Sequence, residues 1–322
     1  LAAQLNQLDG EMYADANTAL YNIISENWAP VYARMGTSAT VSGKNPTQQP
    51  RAWMSGVGDF GGVSGNGNAN GFGQKTGGFL IGADDYFTDR LLLGATAGYI
   101  YAGANRNSSG NGSLSSNMWQ IGAYADVRVG DQGHIGAIIG YTQGQANFSS
   151  TSALGTASAT STAQVISSEV RGSVKCELAE GHSLTPIASL QAIYNHLDSF
   201  TETGMGSLSL NVPSQSAAHV ASRIQLRYDY DWRYDEIDWT FSTAAGLREM
   251  LTQPNGNLIL SYSGIQGQNF TTQGVELNTS AGLVNVGLST HVNKNLNVEV
   301  EYRGQYSGNT AINAFQGNVV WS

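Results

Sequence analysis

A single cysteine, six prolines, no long apolar run and a charged fraction of only 12% mark this 322-residue sequence by what it has little of. The lone Cys176 rules out an internal disulfide framework and any metal site built from several cysteines. With a formal net charge of −9, the chain lacks the basic face that binding to nucleic-acid phosphates requires. No stretch approaches the roughly 18 apolar residues that a membrane-crossing helix needs. The opening LAAQLNQLDGEMYADANTAL has neither the cationic start nor the apolar centre of a secretory signal. An exported chain that opens this way is expected to be a processed piece of something longer.

Glycine is abundant instead, 40 residues in all, and the hydrophobic fraction is 41% although mean hydropathy is only −0.21. The charged fraction is about half the ~25% of ordinary soluble chains. Few charges, much glycine and scattered aromatics suit a barrel whose strands alternate lipid-facing and water-facing side chains.

Residues 2–28 read as a helix, because Leu5, Leu8, Met12, Ala19 and Ile23 recur at three- and four-residue spacings. Gly10 weakens it by about 1 kcal/mol relative to alanine. Tyr13, Leu20, Ile24 and Trp28 occupy other faces among Asn, Asp and Glu, a mixture that suits the inside of a polar tube better than a membrane surface. Such a helix is roughly 40 Å long, enough to cross a bilayer-high barrel. It should break or restart near Ala29-Pro30, and the polar run from Thr40 to Pro50 reads as a linker. The division expected is therefore a pore-spanning helix with linker over 1–50 and a barrel over 51–322.

From Arg51 onward the pattern has a period of two. Strands are expected at 51–61, 72–86, 91–103, 116–129, 134–148, 163–177, 183–197, 215–230, 237–249, 278–291, 296–306 and 311–322. They reach the roughly 9–11 residues that a tilted membrane strand needs, and twelve is an even number, as single-chain bacterial barrels require. Tight turns at 88–90, 130–133, 180–181, 232–236 and 293–295 alternate with long Gly/Ser/Asn-rich loops at 62–71, 104–115, 149–162 and 198–214. The longest, 250–277, has room for local structure. Short turns on one side and long loops on the other are the asymmetry of an outer-membrane barrel. The fold class expected is all-β: a twelve-stranded antiparallel transmembrane β-barrel with an N-terminal α-helix inside the pore.

The alternation assigns each side chain a face. His219, Ala221, Arg223, Gln225, Arg227 and Asp229 share one face of their strand, opposite Val220, Ser222, Ile224, Leu226, Tyr228 and Tyr230. Asn297, Glu299, Glu301, Arg303 and Gln305 oppose Leu296, Val298, Val300, Tyr302 and Tyr306. Glu169, Arg171 and Lys175 oppose Val170, Val174, Cys176 and Leu178, and Arg248 opposes Leu247. A soluble barrel would show equally clean alternation with its apolar face inside. The long strands, long loops and aromatic strand ends favour lipid outside and a polar lumen. The lumen-lining charges expected are Glu169, Arg171, Lys175, Arg223, Arg227, Asp229, Arg248, Glu299, Glu301 and Arg303. Mutual pairing and hydrogen bonds to the helix account for them better than an active constellation does, since unpaired charges in a confined lumen are costly. Cys176 falls on the lipid face and is read as inert.

WMSGVGDFGGVSGNGNANGFGQKTGGFLIGADDYFTDRLLLGATAGYIYAGANRNSSG (53–110), NMWQIGAYADVRVGDQGHIGAIIGYTQG (117–144) and NFTTQGVELNTSAGLVNVGLSTHVNKNLNVEVEYRGQYSGN (269–309) resemble, in that order, the β-domains of autotransporters, the type V secretion proteins. LDGEMYADANTALYN resembles the helix before the barrel, so the resemblance covers essentially the whole chain. It implies a monomeric twelve-stranded barrel in the outer membrane, with a helix linking it to an exported passenger upstream of Leu1. It also implies that the barrel-assembly machinery recognises the last strand, where Phe315, Val319 and Trp321 share a face. The family usually ends in an aromatic residue, whereas this sequence ends Trp321-Ser322. Some members cut their passenger at a helix Asn-Asn pair. Asn6, Asn17, Asn22 and Asn27 are here, but that dipeptide is not.

Other motifs are weaker. Gly56, Gly58 and Gly61 spell G-x-G-x-x-G, but a Gly/Asn-rich loop follows where a dinucleotide site needs a helix. They read as bends in a strand or a place where the helix comes close. YDYDWRYDEIDW (228–239) lacks calcium-loop spacing and reads as a solvated turn. The histidines form no H-E-x-x-H, and no G-x-S-x-G or S-x-x-K occurs. No catalytic residue, cofactor or metal is expected. Two other readings stand beside the translocator: an independent channel or porin, and an outer-membrane enzyme with a lumenal site.

Overall fold

The computed structural model describes residues 9–36, 50–67, 69–106, 111–252, 256–265, 267–293 and 295–321. Twelve staves follow one another round a closed antiparallel ring: β1 (Arg51–Val63), β2 (Phe72–Tyr86), β3 (Leu91–Arg106), β4 (Asn111–Val129), β5 (Gly133–Ser152), β6 (Gly155–Val174, resuming as Cys176–Ala179), β7 (His182–Leu197), β8 (Gln215–Tyr234), β9 (Ile237–Thr252), β10 (Ser280–Asn293), β11 (Leu296–Tyr306) and β12 (Thr310–Trp321). Each pairs with its chain neighbours. The ring closes where β12 returns to β1, with Phe60 opposite Asn313 and Ala52 opposite Trp321. Closure leaves no unpaired edge in the barrel wall, so every backbone polar group there can be satisfied without water.

The expected strands fall within these staves, except that 278–279 precede β10, Lys175 lies in the break of β6 and residue 322 lies outside the described residues, and the alternation of faces is the one expected. Ile139, Val170, Ile224 and Leu247 point outward at 56–68% exposure. Gln191, Asn195 and Arg248 point inward and are buried. Phe315, Val319 and Trp321 lie on the outward face of β12. One prediction arises from this arrangement. Ile139→Arg on the outward face should cost about 2–4 kcal/mol near mid-membrane. Denaturant titration of the barrel folded into lipid vesicles checks it, and an unchanged midpoint would place this face in water.

The restart expected near Ala29-Pro30 is there, and three other expectations change: the continuity of the helix, the loop at 149–162, and the loop at 104–115, where 104–106 and 111–115 are paired strand and 107–110 lie outside the described residues. The helix is not continuous through Gly10: α1 spans Glu11–Asn27, with Gly10 at φ 65 as its N-cap, and residues 2–8 of the expected helix lie outside the described residues. A left-handed backbone suits glycine, so Gly10 starts the helix rather than weakening its middle. A second short helix, α2 (Ala29–Arg34), follows Trp28 with Pro30 in its first turn, where a missing N–H costs nothing. The run 149–162 is strand instead of loop, with only Ala153 and Leu154 between β5 and β6. Its Ser, Thr and Ala residues still alternate, and ladder pairing to β4 and β5 carries the hairpin beyond the membrane, where polar side chains on both faces cost little.

Gly/Asn-rich connections gather at one end of the barrel and short turns at the other. At the long-loop end, Phe200–Thr201, Leu210–Val212, Asn257–Tyr262 and Asn269–Gln273 form a separate four-stranded sheet over the mouth. Among the described residues no helix is long and apolar enough to cross a membrane, which says nothing of crossing by strands. α1 and α2 instead run inside the barrel.

Candidate functional site: a helix clamped in the pore

The helix meets the barrel at three levels. At the outer mouth, Glu11 accepts from the Asn70 backbone N–H, from Asn70 Nδ2 at 3.0 Å and from Arg106, which also reaches Asp9 at 3.3 Å. Asp15 accepts from the Val275 N–H at 2.7 Å, and Thr18 donates to the Val275 carbonyl at 3.1 Å. The Tyr13 hydroxyl donates to Glu202, which also accepts from the Leu210 N–H at 2.7 Å. Phe148 and Phe200 pack edge-on against the Tyr13 ring, with centroids 5.0 and 5.2 Å away. The sheet over the mouth is thus fastened to the first turns of α1.

Glu202 lies in the mouth, outside the staves, and burial raises its carboxyl above the usual glutamate value. A raised carboxyl contributes stability below its unfolded value and loses that contribution as pH climbs through the folded one. Going from about pH 4 to about pH 7 should therefore speed amide exchange across Phe200–Val212 more in the native protein than in Glu202→Gln. Equal acceleration in both would remove Glu202 from the account.

Midway, Glu26 sits between two arginines. Arg303 reaches its carboxylate at 3.5 Å and its backbone carbonyl at 2.9 Å, and Arg223 reaches the carboxylate at 3.4 Å. The carbonyl contact places a cation at the C-terminus of α1, where the helix dipole is negative. Gln191 joins this level, donating to Glu169 at 3.2 Å and to the Tyr32 hydroxyl at 3.3 Å while accepting from Arg223 at 3.2 Å. Higher up, Asn195 donates to the Asn17 carbonyl at 2.8 Å, and His219 stacks on Tyr21 with centroids 4.5 Å apart.

At the short-turn end Arg34 forks onto Asp84 at 2.9 and 3.0 Å, while Arg51 at 2.7 Å and the Tyr124 hydroxyl at 2.8 Å bind the same carboxylate. Trp53 Nε1 donates to Tyr124 at 2.8 Å. The two rings need space on the lumen wall, and glycine supplies it. A Cβ on Gly82 would fall 2.4 Å from the Trp53 ring, and one on Gly94 2.2 Å from Tyr124.

Of the ten lumen charges expected, Glu169, Arg171, Arg223, Arg227, Glu299, Glu301 and Arg303 line one cavity of about 70 Å³ beside Glu26. It is room for several waters. Asp229 holds Arg227 at 2.7 Å, Glu299 accepts from Asn318 at 3.0 Å and Glu301 from Gln316 at 2.7 Å. Arg248 is fully buried and donates to the Asn278 carbonyl at 3.1 Å. Lys175 does not join them. It stands half-buried where β6 is interrupted near the short-turn rim, and its N–H donates to the Gln132 carbonyl. Cys176 is exposed on the outer face beside it.

The helix-side partners were not among the expected site residues, although a signal for them exists. Glu11, Asp15, Asn22 and Glu26 fall at helical spacings that put four polar residues on one stripe. Asp84 stands in the G-A-D run of the second strand, where Gly82 and Asp84 serve the inner clamp.

A closed twelve-stave barrel with an outward apolar face, and a helix tied along the length of its polar lumen, defines a helix-plugged barrel of the bacterial outer membrane. The family model "Autotransporter beta-domain" matches residues 52–303, and the chain belongs to that family. Two relatives from Serratia marcescens, each described as an extracellular serine protease, are 24% and 25% identical over 98% of this chain. The chain spans only 30% of their length. Among solved structures, the translocator domain of NalP from Neisseria meningitidis is similar with a TM-score of 0.76 and 15% identity, covering 100% of this chain and 99% of that one. The transport unit of AIDA-I from Escherichia coli is similar with a TM-score of 0.64 and 14% identity, over 91% of this chain and 97% of its own.

Proposed function

We propose that this barrel anchors the C-terminal part of a longer protein in the outer membrane and assists export of a passenger, linked upstream of Leu1, to the cell surface. The observation that carries the reading is the direction of the helix. Its N-terminus opens among the long loops, while β1 starts at the short-turn rim, so chain upstream of Asp9 begins on the outer side. Residues 1–50 act as plug and linker and 51–322 as the barrel. The lumen charges named above, Lys175 apart, seat the helix or one another and do no chemistry, and protease activity of the kind named for the Serratia relatives belongs to a passenger. The barrel works as a monomer, its apolar face against outer-membrane lipid. Phe315, Val319 and Trp321 on the outward face of β12 form the element that the barrel-assembly machinery reads.

An epitope fused upstream of Leu1 tests the proposal. Protease added to intact cells should remove the tag while the barrel stays folded. A tag protected until the outer membrane is breached would overturn it.

A further inference from the structure

The four-stranded sheet over the mouth has one closed edge and one open edge. At the closed edge the Ser158 N–H donates to the Thr203 carbonyl at 3.0 Å and the Thr203 N–H to the Ser158 carbonyl at 2.9 Å, so the sheet continues from the protruding top of β6. The other edge is Asn269–Gln273, which among the described residues pairs only with Asn257–Tyr262. The Gly274 N–H donates to the Gly256 carbonyl at 2.8 Å. Antiparallel alternation then turns the backbone groups of Thr272 and Phe270 inward and those of Asn269, Thr271 and Gln273 outward. Those three residues are exposed.

Natural sheets blunt such edges with charge, proline, a bulge or a cover. NFTTQ carries neither charge nor proline. The sheet's outer face is uncharged as well: Thr201 donates to Asn211 at 2.9 Å and Asn211 to Ser261 at 3.4 Å around the exposed Ile259. The inner face carries Leu210 and Leu260, which lie against Gly10 at the start of α1, and Leu260 pairs directly with Phe270 of the open edge. Gly10, at the start of α1, therefore lies under the strand next to the open edge.

We propose that Asn269–Gln273 takes an extended segment of the linked passenger as an added fifth strand. This rests on the translocator reading. The occupant follows from proximity and from chain length: the Serratia relatives carry 70% of their length outside the matched region. Strand addition uses backbone hydrogen bonds, so it accepts many sequences, as a surface that meets a chain in transit must.

Amide exchange on the passenger-linked protein and on the 322-residue chain, both in the same detergent, tests the proposal. Protection at Thr271 and Gln273 should rise by about tenfold or more when the passenger is present. Thr271→Pro removes an outward N–H without touching the lid's own ladder, and should abolish that gain at Gln273. Unchanged protection with the passenger on the cell surface overturns the strand alone. A passenger absent from the surface overturns the translocator reading and this one together. Protection that grows with concentration of the 322-residue chain makes a second copy the occupant, and also overturns the proposal.

Discussion

Replacing Glu26 by alanine is expected to release the helix from the pore. The change leaves Arg303 and Arg223 facing each other's charge with no anion between them, and both keep side-chain exposures of only 10–14%. Removing one partner of a buried pair costs about 3–5 kcal/mol, and the adjacent cavity argues for the low end. About 3 kcal/mol is on the order of a hundredfold in the ratio of seated to unseated helix. Single-channel recording in planar bilayers reads this directly: long closed periods should give way to frequent large openings like those of a barrel lacking residues 1–36. An Arg303→Met change in the Glu26→Ala background removes half the stranded charge and should restore part of the closed time. Conductance unchanged by Glu26→Ala would show that packing alone retains the helix, and an equally high conductance in the native chain would favour the porin reading.

The second large effect is steric. Trp28, at the junction of α1 and α2, is 1% exposed and lies across two glycines on the barrel wall. A Cβ on Gly140 would fall 2.1 Å from its Cζ2, and one on Gly122 2.9 Å from its Cζ3. The wall cannot retreat, because β4, β5 and β6 are laddered on both sides. Gly140→Val should therefore push the helix aside at a cost of about 3 kcal/mol and open the pore while the barrel still folds. Trp28→Ala removes the ring and costs a comparable amount as a cavity. Combined, the two changes should cost less than their sum by about 1 kcal/mol or more, because the valine then fills part of the space the ring left. Strict additivity, measured as open probability and as heat-modifiable mobility of the folded barrel, would show that Trp28 does not sit against Gly140.

The legibility of this molecule differs between wall and contents. Strand positions, their number and the side each residue faces were open to reading, because a membrane-crossing strand must alternate and must be long. Val220 to Tyr230 could be sorted without coordinates. The hairpin at 149–162 was misread, since Ser/Thr/Ala-rich sequence looks like loop when nothing shows that its neighbours continue as strand. Gly10 looked like a flaw in a helix and is its start, because only the backbone angle tells a cap from an interruption.

The clamps were harder to see. Arg223, Arg303 and their neighbours could be placed in the lumen from strand parity, but parity cannot say which helix residue each one meets. Glu26 meets Arg223 of β8 and Arg303 of β11, 80 residues apart in the chain, and the axial rotation of α1 decides that meeting. Lys175 obeys the same parity and still misses the cluster, because β6 is interrupted there at the rim. The family-like G-A-D run in the second strand was visible as a pattern, whereas its physical role needs three distant groups, Arg34, Arg51 and Tyr124, converging on Asp84.

By itself, then, the sequence determined a twelve-stave membrane barrel with a polar lumen and a helix of the right length to cross it. Those properties follow from periodicity, strand length and charge placement, which are local and repeat along the chain. Tertiary structure alone decided where the helix is gripped, that a four-stranded sheet covers the long-loop end, and that among the described residues this sheet leaves one strand edge unpaired. Each of those depends on groups far apart in sequence meeting at a few ångströms, and no local pattern encodes that.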